Sequence, residues 1–262
     1  MLLSFADRVV IAVGAESVSA VYLKGWGRRR VAEARFALKV HDGVPDFAEL
    51  ATWLADCKAR QLEVVLSSAW VRFAVLSWQP ALSSEAVSLD FASSLFSEQY
   101  GDTSANWQIT LSPLRPGHSR VASAIDTRWL AALQALADQR KLKLVSVRPL
   151  LASVFNRVAD KLAGEALLAV VEPRRLALIQ VRNGEWVNLY NRMLPEPWER
   201  RLPGLITQAS AALDALTTPV FIAAPVFERP ELGRLSATWL RLPPQRGFDP
   251  RSDREWALCL GC

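Results

Sequence analysis

Apolar and β-branched side chains dominate two stretches in the first part of the chain. These stretches are residues 8–23 and 31–40, and they flank the sequence KGWGRRR. Gly25 and Gly27 give this sequence the backbone freedom that a hairpin turn uses. The two apolar stretches and the turn between them therefore predict a β-meander as the first element of the fold.

The spacing of apolar positions becomes helical after Asp46. Asp46 and Glu49 are separated as in a capping box, and apolar side chains then recur every three or four residues up to Cys57. This pattern predicts a helix of about 13 residues. The sequences LEVVL and AWVRFAVLSW follow and predict two strands, with Ser67 and Ser68 between them.

A unit of about 70 residues, from roughly residue 80 to residue 150, is inserted next. Its segments predict a helix that ends at Gly101, strands in WQITL and RVASAI, a helix capped by Asp126, and a strand in KLKLVSV. The predicted element order of this unit is α-β-β-α-β. A further helix over residues 150–163 leads out of it.

The second half of the chain repeats the pattern of the first. A shift of 158 residues places Val13 on Val171 and Val21 on Ile179, and it brings the turn sequence KGWG close to RNGEW. A helix from about Trp198 to Leu216 and a buried strand in PVFIAA follow. Two copies indicate a duplicated β-hairpin core, since a solenoid has three or more repeats.

The composition is that of a folded protein with a large core. The 262 residues are 51% hydrophobic and 22% charged. The longest apolar runs have six to nine residues, whereas a membrane-spanning helix needs roughly 20. Asp7 and Arg8 interrupt the apolar stretch that a signal peptide would need, so the sequence predicts a cytoplasmic location.

Charge and cysteine content exclude several classes of site. The net charge of +5 comes from basic residues spread along the chain, with one cluster at residues 28–30. That cluster leaves binding to nucleic acid or anionic lipid open, although a solvated hairpin tip is the favoured interpretation.

The cysteine and histidine content argues against two further kinds of site. Cys57, Cys259 and Cys262 are too few for a disulfide framework. With only two histidines, the chain also has few ligands for a metal site.

Two lobes that each begin with a strand, a tight turn and a second strand resemble the actin-like ATPase superfamily. Within it, the inserted unit and the segment LSSAWVRFAVLSW are similar to the pilus-assembly protein PilM and to the cytoplasmic domain of the type II secretion protein L. The resemblance covers about residues 5–227. It implies an α/β, two-lobed actin-like fold with a duplicated ribonuclease H-like core. Residues 1–150 would form the first lobe, and residues 151–262 a shortened second lobe.

In active members of the superfamily, as the resemblance implies, two hairpin turns hold the nucleotide phosphates and acidic residues organise magnesium. In the first turn Gly14 is present, and Ser17 and Ser19 are able to donate hydrogen bonds, but the expected Asp-x-Gly reads Ala-Val-Gly. In the second turn, Glu172 and Pro173 replace the glycine and the N–H that follows it. Both turns are therefore interpreted as vestigial phosphate turns.

The third nucleotide contact of active members is also changed. Their glycine pair, which admits the adenosine, corresponds here to Ala223, Ala224 and Pro225, whose side chains narrow the approach. Arg174 and Arg175 are the residues that favour retained phosphate binding. The sequence predicts no cofactor, no metal and no catalysis. A divergent ATPase that binds ATP with magnesium is the alternative.

Tryptophan and arginine point to a surface for a protein partner. The chain has ten tryptophans, and Trp70, Arg72 and Trp78 lie in or beside the inserted unit. Core packing explains most buried tryptophans, but both residue types also dominate protein interfaces. Trp70, Arg72 and Trp78 are therefore predicted to line a groove for a partner.

PilM-like proteins, as the resemblance implies, receive the short cytoplasmic tail of an inner-membrane protein in this groove. The prediction is a non-catalytic scaffold of a type IV pilus or type II secretion-like assembly platform. Its expected partners are such a tail and a motor ATPase, with no nucleic acid, and homodimerisation is left open. Association with the inner membrane is expected only through these partners.

Overall fold

The structure of the protein is a computed structural model that describes residues 7–233 and 235–262. This part of the chain contains fifteen strands and six α-helices. The strands are β1 (Arg8–Val13), β2 (Ser17–Lys24), β3 (Arg29–Ala37), β4 (Lys39–His41), β5 (Val44–Asp46), β6 (Gln61–Leu66), β7 (Val71–Leu76), β8 (Trp107–Leu111), β9 (Arg120–Asp126), β10 (Lys143–Pro149), β11 (Glu165–Glu172), β12 (Arg175–Arg182), β13 (Glu185–Met193), β14 (Val220–Ala223) and β15 (Thr238–Leu240). The helices are α1 (Ala48–Leu54), α2 (Glu85–Tyr100), α3 (Thr127–Gln139), α4 (Leu150–Val158), α5 (Trp198–Ala212) and α6 (Ala257–Leu260).

Two five-stranded sheets have the same strand order. Sheet 1 is β3-β2-β1-β6-β10, and sheet 2 is β13-β12-β11-β14-β15. In each sheet the first three strands form an antiparallel meander, and the other two join it in parallel. β2 and β12 begin and end 158 residues apart, which is the shift found in the sequence. The predicted duplication of the hairpin core is therefore confirmed.

The inserted unit contains a third sheet with the strand order β7-β9-β8. The predicted order α-β-β-α-β is present from α2 to β10, but the last of these strands does not belong to the third sheet. Instead, β10 pairs with β6 at the edge of sheet 1, where Leu144 and Val147 pack on the core. β7 takes the place beside β9. Local alternation identified these strands but not their neighbours, because strand pairing joins segments that are distant in sequence.

The first helix is shorter than the sequence predicts. α1 has seven residues, because the N–H groups after Leu54 bond to carbonyls three residues back and tighten the chain out of the α-helix. The predicted capping box is also not formed. Asp46 accepts the N–H of Ala48 over 2.8 Å, and Glu49 pairs with Lys39 over 2.7 Å.

The helix of the second half begins at the predicted residue and ends early. α5 starts at Trp198 and ends at Ala212 rather than near Leu216. Asp214 has a φ of 51°, a left-handed backbone that an α-helix does not continue. Within the described part of the chain, no helix combines the length and the apolar surface needed to cross a bilayer.

One hydrophobic core joins the two five-stranded sheets, since it includes Ile11 of sheet 1 and Ile179 of sheet 2. α4 begins at Leu150, where the sequence places the boundary between the lobes, and it contacts both β10 and β11. α6 packs on β1 and β2. The helix after sheet 1, α4, therefore contacts sheet 2, and the helix after sheet 2, α6, contacts sheet 1. A second cluster lies between α5 and sheet 2, and a third lies inside the inserted unit.

Candidate functional site

The first hairpin turn joins β1 to β2 through Gly14, Ala15 and Glu16. The Gly14 N–H donates to the Ser17 carbonyl over 2.8 Å, and the Gly14 carbonyl accepts the indole N–H of Trp70 over 2.7 Å. Gly14 is buried, and a Cβ at this position would lie 3.1 Å from the Ser17 carbonyl oxygen, which favours glycine. The N–H of Gly14 is therefore used within the turn and is not free for an anion.

The second hairpin turn is shorter and joins β11 to β12 through Pro173 and Arg174. Pro173 has no N–H. Arg174 has a φ of 66°, the positive value that a type II turn needs after its proline. Glu172 and Arg175 are the paired residues on either side. The residue that follows Glu172 therefore offers no donor to a ligand.

The Glu172 carboxylate is buried against the loop that joins β6 to β7. Glu172 is 1% exposed, Ser67 Oγ donates to its Oε2 over 2.5 Å, and Ser68 Oγ donates to its Oε1 over 2.6 Å. The N–H of Ser68 lies 3.3 Å from Oε1 and 3.2 Å from Oε2. Asn191 on β13 donates to the Ser68 carbonyl over 3.0 Å. We call Glu172, Ser67 and Ser68 the serine–glutamate clasp, which joins the second hairpin to a loop of the first lobe.

Burial raises the pKa of Glu172 above its ordinary value, because the charged carboxylate loses its hydration in the interior. The hydrogen bonds from Ser67 and Ser68 and the charge of Arg175 act in the opposite direction. Both carboxylate oxygens are engaged by protein donors. The Glu172 carboxylate, next to the second hairpin turn, therefore makes a structural contact.

A second contact joins the two hairpin turns directly. Arg174 Nε lies 2.9 Å from Glu16 Oε1. The Glu16 side chain is 67% exposed, so water screens this ion pair. The guanidinium that the sequence offers for phosphate binding is therefore paired within the protein.

The other predicted nucleotide positions also contact protein groups. Ser19 is buried on β2, where its Oγ accepts from Arg35 over 3.4 Å and its carbonyl accepts the thiol of Cys259 over 3.3 Å. Ala224 follows β14 and is buried, and its carbonyl accepts the N–H of Phe227 over 3.2 Å. Ser19 therefore contacts α6 and β3 rather than the turn at Gly14.

The cysteine thiols are protonated at neutral pH. Burial raises the pKa of Cys259 and of Cys262 to about 12, and that of Cys57 to about 11. Because the thiolate is the form that binds metals and attacks substrates, the sequence CLGC is poorly suited to either task. Among the described residues, no three histidine, cysteine, aspartate or glutamate side chains are grouped to hold a metal ion.

Trp70 is partly buried against the hydrophobic core and contacts the first turn. Its ring stacks on Trp129 with the centroids 4.2 Å apart, while its N–H binds the Gly14 carbonyl. Trp129 in turn donates its indole N–H to the Gly43 carbonyl over 2.9 Å. Trp78 lies beyond the end of β7 and is 43% exposed. Of the predicted tryptophan pair, Trp78 therefore presents the more open surface.

Arg72 and Arg175 line one cavity of about 450 Å³ between the inserted unit and sheet 2, which we call the interlobe cavity. Its wall also includes Tyr100 from α2 and Tyr190 and Arg192 from β13. Burial and the nearby charge of Arg72 lower the pKa of Arg175. None of the described residues that line it carries a carboxylate. The interlobe cavity is therefore cationic and partly aromatic.

The sequence pattern does not single out Ser67 and Ser68 as site residues. A signal for them exists on β11, where six apolar residues precede Glu172. A carboxylate at the end of so buried a strand needs hydrogen-bond donors. The sequence does not say which segment supplies them, because the clasp joins residues 105 positions apart.

Two five-stranded sheets of the same strand order, each beginning with an antiparallel hairpin, define the class of the protein. The structure has the actin-like ATPase fold, as in a protein of that fold from Bacteroides thetaiotaomicron VPI-5482, with a TM-score of 0.58 and 10% sequence identity over 86% of this chain and 84% of that one. The predicted two-lobed actin-like fold is therefore confirmed. No protein-family model and no curated protein matches the sequence.

Two further solved structures share this fold. A chain of the PilM–PilN type IV pilus biogenesis complex is similar with a TM-score of 0.60 and 12% identity, over 84% of this chain and 82% of that one. The cytoplasmic domain of EpsL, an inner membrane component of the type II secretion system of Vibrio cholerae, is similar with a TM-score of 0.63 and 11% identity, over 96% and 95%. The resemblance to PilM and to secretion protein L is thus confirmed at the level of the fold.

Proposed function

We propose that this protein is a non-catalytic actin-like scaffold of a type IV pilus or type II secretion-like assembly platform at the inner membrane. In this role it binds the cytoplasmic tail of a bitopic membrane protein, and it reaches the membrane through that partner. A motor ATPase is a second expected partner. Nucleic acid is not among the expected ligands, and the protein works without nucleotide or metal.

The serine–glutamate clasp is the observation that carries the non-catalytic part of this proposal. It places a buried carboxylate, held by Ser67 and Ser68, at the end of the second phosphate turn. The oxygens of this group are already bound by protein donors, and neither it nor Pro173 offers an N–H to a triphosphate from its side chain or ring. The ion pair between Glu16 and Arg174 adds a further link between the turns. The two lobes then act as one rigid body that presents surfaces.

The interlobe cavity is the proposed docking position for the partner tail. Arg72, Arg175 and Arg192 present guanidinium donors without a carboxylate in the described lining, and Tyr100 and Tyr190 add aromatic surface. Such donors bind main-chain carbonyls and carboxylates of an extended segment. Arginine and tyrosine are also frequent among the residues that dominate binding energy. Of the three residues predicted from the sequence, Arg72 lines this cavity, whereas Trp70 and Trp78 do not.

Titration calorimetry with ATP and magnesium tests the non-catalytic part of the proposal. We expect no saturable heat at millimolar ATP and no release of phosphate above a buffer control. Micromolar binding together with turnover would instead support the divergent ATPase that uses Arg175. Binding without turnover would refute the claim that the protein works without nucleotide but would leave the scaffold role standing.

Peptide binding tests the docking part of the proposal. Synthetic cytoplasmic tails of short bitopic membrane proteins encoded beside this gene are titrated against the protein by fluorescence anisotropy. Arg192→Glu reverses one charge at the interlobe cavity, and Arg201→Glu makes the same change at an exposed position on α5. We expect Arg192→Glu to weaken binding by about tenfold and Arg201→Glu to leave it unchanged. Equal affinities of both variants would place the tail elsewhere.

A further inference from the structure

A second cationic cavity lies between sheet 1 and the chain that follows β15. It has a volume of about 320 Å³. Arg8, the first residue of β1, lines it, whereas Gly14 follows the last residue of that strand. At about 3.3 Å per residue, Arg8 and Gly14 are roughly 20 Å apart. The described lining of this cavity shares no residue with the first or second hairpin turn or with the interlobe cavity.

Five arginines from five different segments line this cavity. They are Arg8 from β1, Arg28 from the turn between β2 and β3, Arg148 from β10, Arg157 from α4 and Arg246 from the loop after β15. The one side-chain carboxylate in the described lining belongs to Glu63. We call these six residues the arginine cage. Its formal side-chain charge is positive, because five guanidinium groups face a single side-chain carboxylate.

Glu63 is fully used by two of the five arginines. Arg8 Nη1 lies 2.9 Å from its Oε1, and Arg148 Nη1 lies 3.2 Å from its Oε2. Arg148 also donates through Nη2 to the carbonyl of Cys262 over 3.1 Å. Burial opposes ionisation of Glu63, but the two arginines outweigh it and lower the pKa of this carboxyl. Glu63 therefore has no oxygen left for a third guanidinium.

The remaining three arginines have no carboxylate partner among the described residues. Arg157 donates through Nη2 to the Pro243 carbonyl over 2.8 Å, and its buried Nε finds no hydrogen-bond partner in the described structure. Arg246 stacks 3.3 Å from the centroid of the Trp26 ring. Burial and the charges of neighbouring residues act on the Arg28 guanidinium, and no side-chain hydrogen bond to a described residue is among these influences. Three guanidinium groups thus remain available to an anion.

Arg28 shows the electrostatic cost of this arrangement. Burial, followed by the like charge of Arg8, lowers the pKa of Arg28, and Arg148 and Arg246 act in the same direction. Only Glu63 opposes them. A half-buried cation among like charges destabilises the protein unless an anion is bound nearby.

We propose that the arginine cage is a binding site for a compact phosphate-bearing anion, such as a diphosphate group. Guanidinium forks match phosphate oxygens in pairs, and arginine is the residue that best combines charge with this geometry. The volume is at the lower end of the range for small-molecule sites, which suits a diphosphate rather than a large ligand. The group is carried either by a free phosphate compound or by a lipid headgroup. The site is independent of the proposed scaffold role.

Titration calorimetry of the full chain with inorganic pyrophosphate tests this site at constant ionic strength. Arg28→Gln removes one free guanidinium of the cage, and Arg29→Gln removes a neighbouring exposed arginine that does not line the cavity. We expect saturable binding that Arg28→Gln weakens by about tenfold or more, because it loses charge-assisted hydrogen bonds. Arg29→Gln should change the affinity by less than about twofold. Absence of saturable binding, or equal losses in both variants, would overturn the proposal.

Thermal unfolding gives an independent readout of the same claim. Without pyrophosphate, Arg28→Gln should unfold at an unchanged or higher temperature than the wild type, since the lost cation has repulsive neighbours. With pyrophosphate, only the wild type and Arg29→Gln should be stabilised. A lower midpoint for unliganded Arg28→Gln would contradict the charge argument.

Vesicles distinguish the two sources of phosphate. Co-sedimentation with phosphatidylglycerol vesicles, but not with phosphatidylcholine vesicles, assigns the site to a lipid headgroup if pyrophosphate displaces the protein and Arg28→Gln abolishes the association. Pyrophosphate binding without co-sedimentation assigns it to a free phosphate compound. Co-sedimentation that is equal in Arg28→Gln and Arg29→Gln would be non-specific attraction and would count against the cage.

Discussion

The two hairpins of this molecule have the same strand pairing and different turns. β1 and β2 are joined by three residues around Gly14, whereas β11 and β12 are joined by Pro173 and Arg174 alone. The first turn is closed by its own N–H and by Trp70, while the second places Glu172 in the serine–glutamate clasp. The strands carry the shared core, so their pattern is retained. The turns have no such packing role, and each is closed by a different set of protein contacts.

The difference between the turns also gives the lobes an asymmetric connection. The buried contact runs from the second hairpin to the loop of Ser67 and Ser68 in the first lobe. The exposed contact runs between the turns themselves, from Arg174 to Glu16. Buried and exposed polar contacts differ greatly in energy, because removing a buried partner leaves unsatisfied groups that water cannot reach. The clasp, rather than the ion pair, is therefore expected to hold the cleft closed.

The largest effect is expected at the clasp. Glu172→Ala leaves the hydroxyls of Ser67 and Ser68 without their acceptor in the interior, so we expect a loss of about 3 kcal/mol in the free energy of unfolding. Urea denaturation followed by fluorescence measures it. Glu165→Ala on the same strand removes an exposed carboxylate paired with Arg182 and serves as the control, with an expected loss below about 0.5 kcal/mol. Equal losses in both variants would show that the clasp is not a buried contact.

The first turn should respond less strongly. Trp70→Phe removes the indole N–H that binds the buried Gly14 carbonyl, and we expect a loss of about 2 kcal/mol in the same denaturation experiment. Trp78→Phe makes the same chemical change at an exposed position and should cost less than about 0.5 kcal/mol. If Trp78→Phe is the more damaging change, Trp70 does not support the turn as described.

The pH dependence of stability should distinguish the clasp from the rest of the protein. The folded state raises the pKa of Glu172, so it binds a proton more readily than the unfolded state does. This contribution to stability is fully present below the unfolded-state pKa of about 4.3 and is lost as the pH rises through the folded-state pKa. Wild type should therefore lose stability relative to Glu172→Gln between pH 4 and neutral pH, in denaturation series at matched ionic strength. A constant difference between the two proteins would contradict the raised pKa.

The smallest effect is expected at the ion pair between the turns. A double-mutant cycle with Glu16→Gln and Arg174→Gln should give a coupling of about 0.3 kcal/mol that decreases in high salt. The pair of Arg182 and Glu165 within the second hairpin is similarly exposed and provides the reference cycle. A coupling between the turns above about 1 kcal/mol would mean that this pair, and not only the clasp, closes the cleft.

The duplicated hairpins could be predicted because their signal is local. Mostly apolar runs form β1 and β2 and again β11 and β12, and the sequence shift of 158 residues appears unchanged in the bounds of β2 and β12. The residue types at the two hairpin turns could also be interpreted from the sequence, since glycine and proline restrict or free the backbone directly. The end of α1 was not, because bonding of its last N–H groups to carbonyls three residues back depends on how the chain continues to β6.

The parts of the sites that join distant segments could not be predicted in the same way. The sequence marks Trp70 as a partner residue, whereas the structure packs it on Trp129 and under Gly14. The sequence favours a solvated hairpin tip for Arg28. In the structure, Arg28 lines a cavity together with Arg157 from α4. In both cases the side chain is amphipathic, so residue type alone does not decide between surface and interior.

The sequence by itself determined the two copies of the hairpin core, the inserted unit and the residue types at the two hairpin turns. These properties follow from periodicity and from the conformational limits of single residues, both of which act over a few positions of the chain. Only the tertiary structure decided that Glu172 is held by Ser67 and Ser68 and that five arginines surround one carboxylate. Such contacts depend on which segments the packing of the core brings together. A chain of this length contains many residue pairs of suitable chemistry, and the local sequence does not select among them.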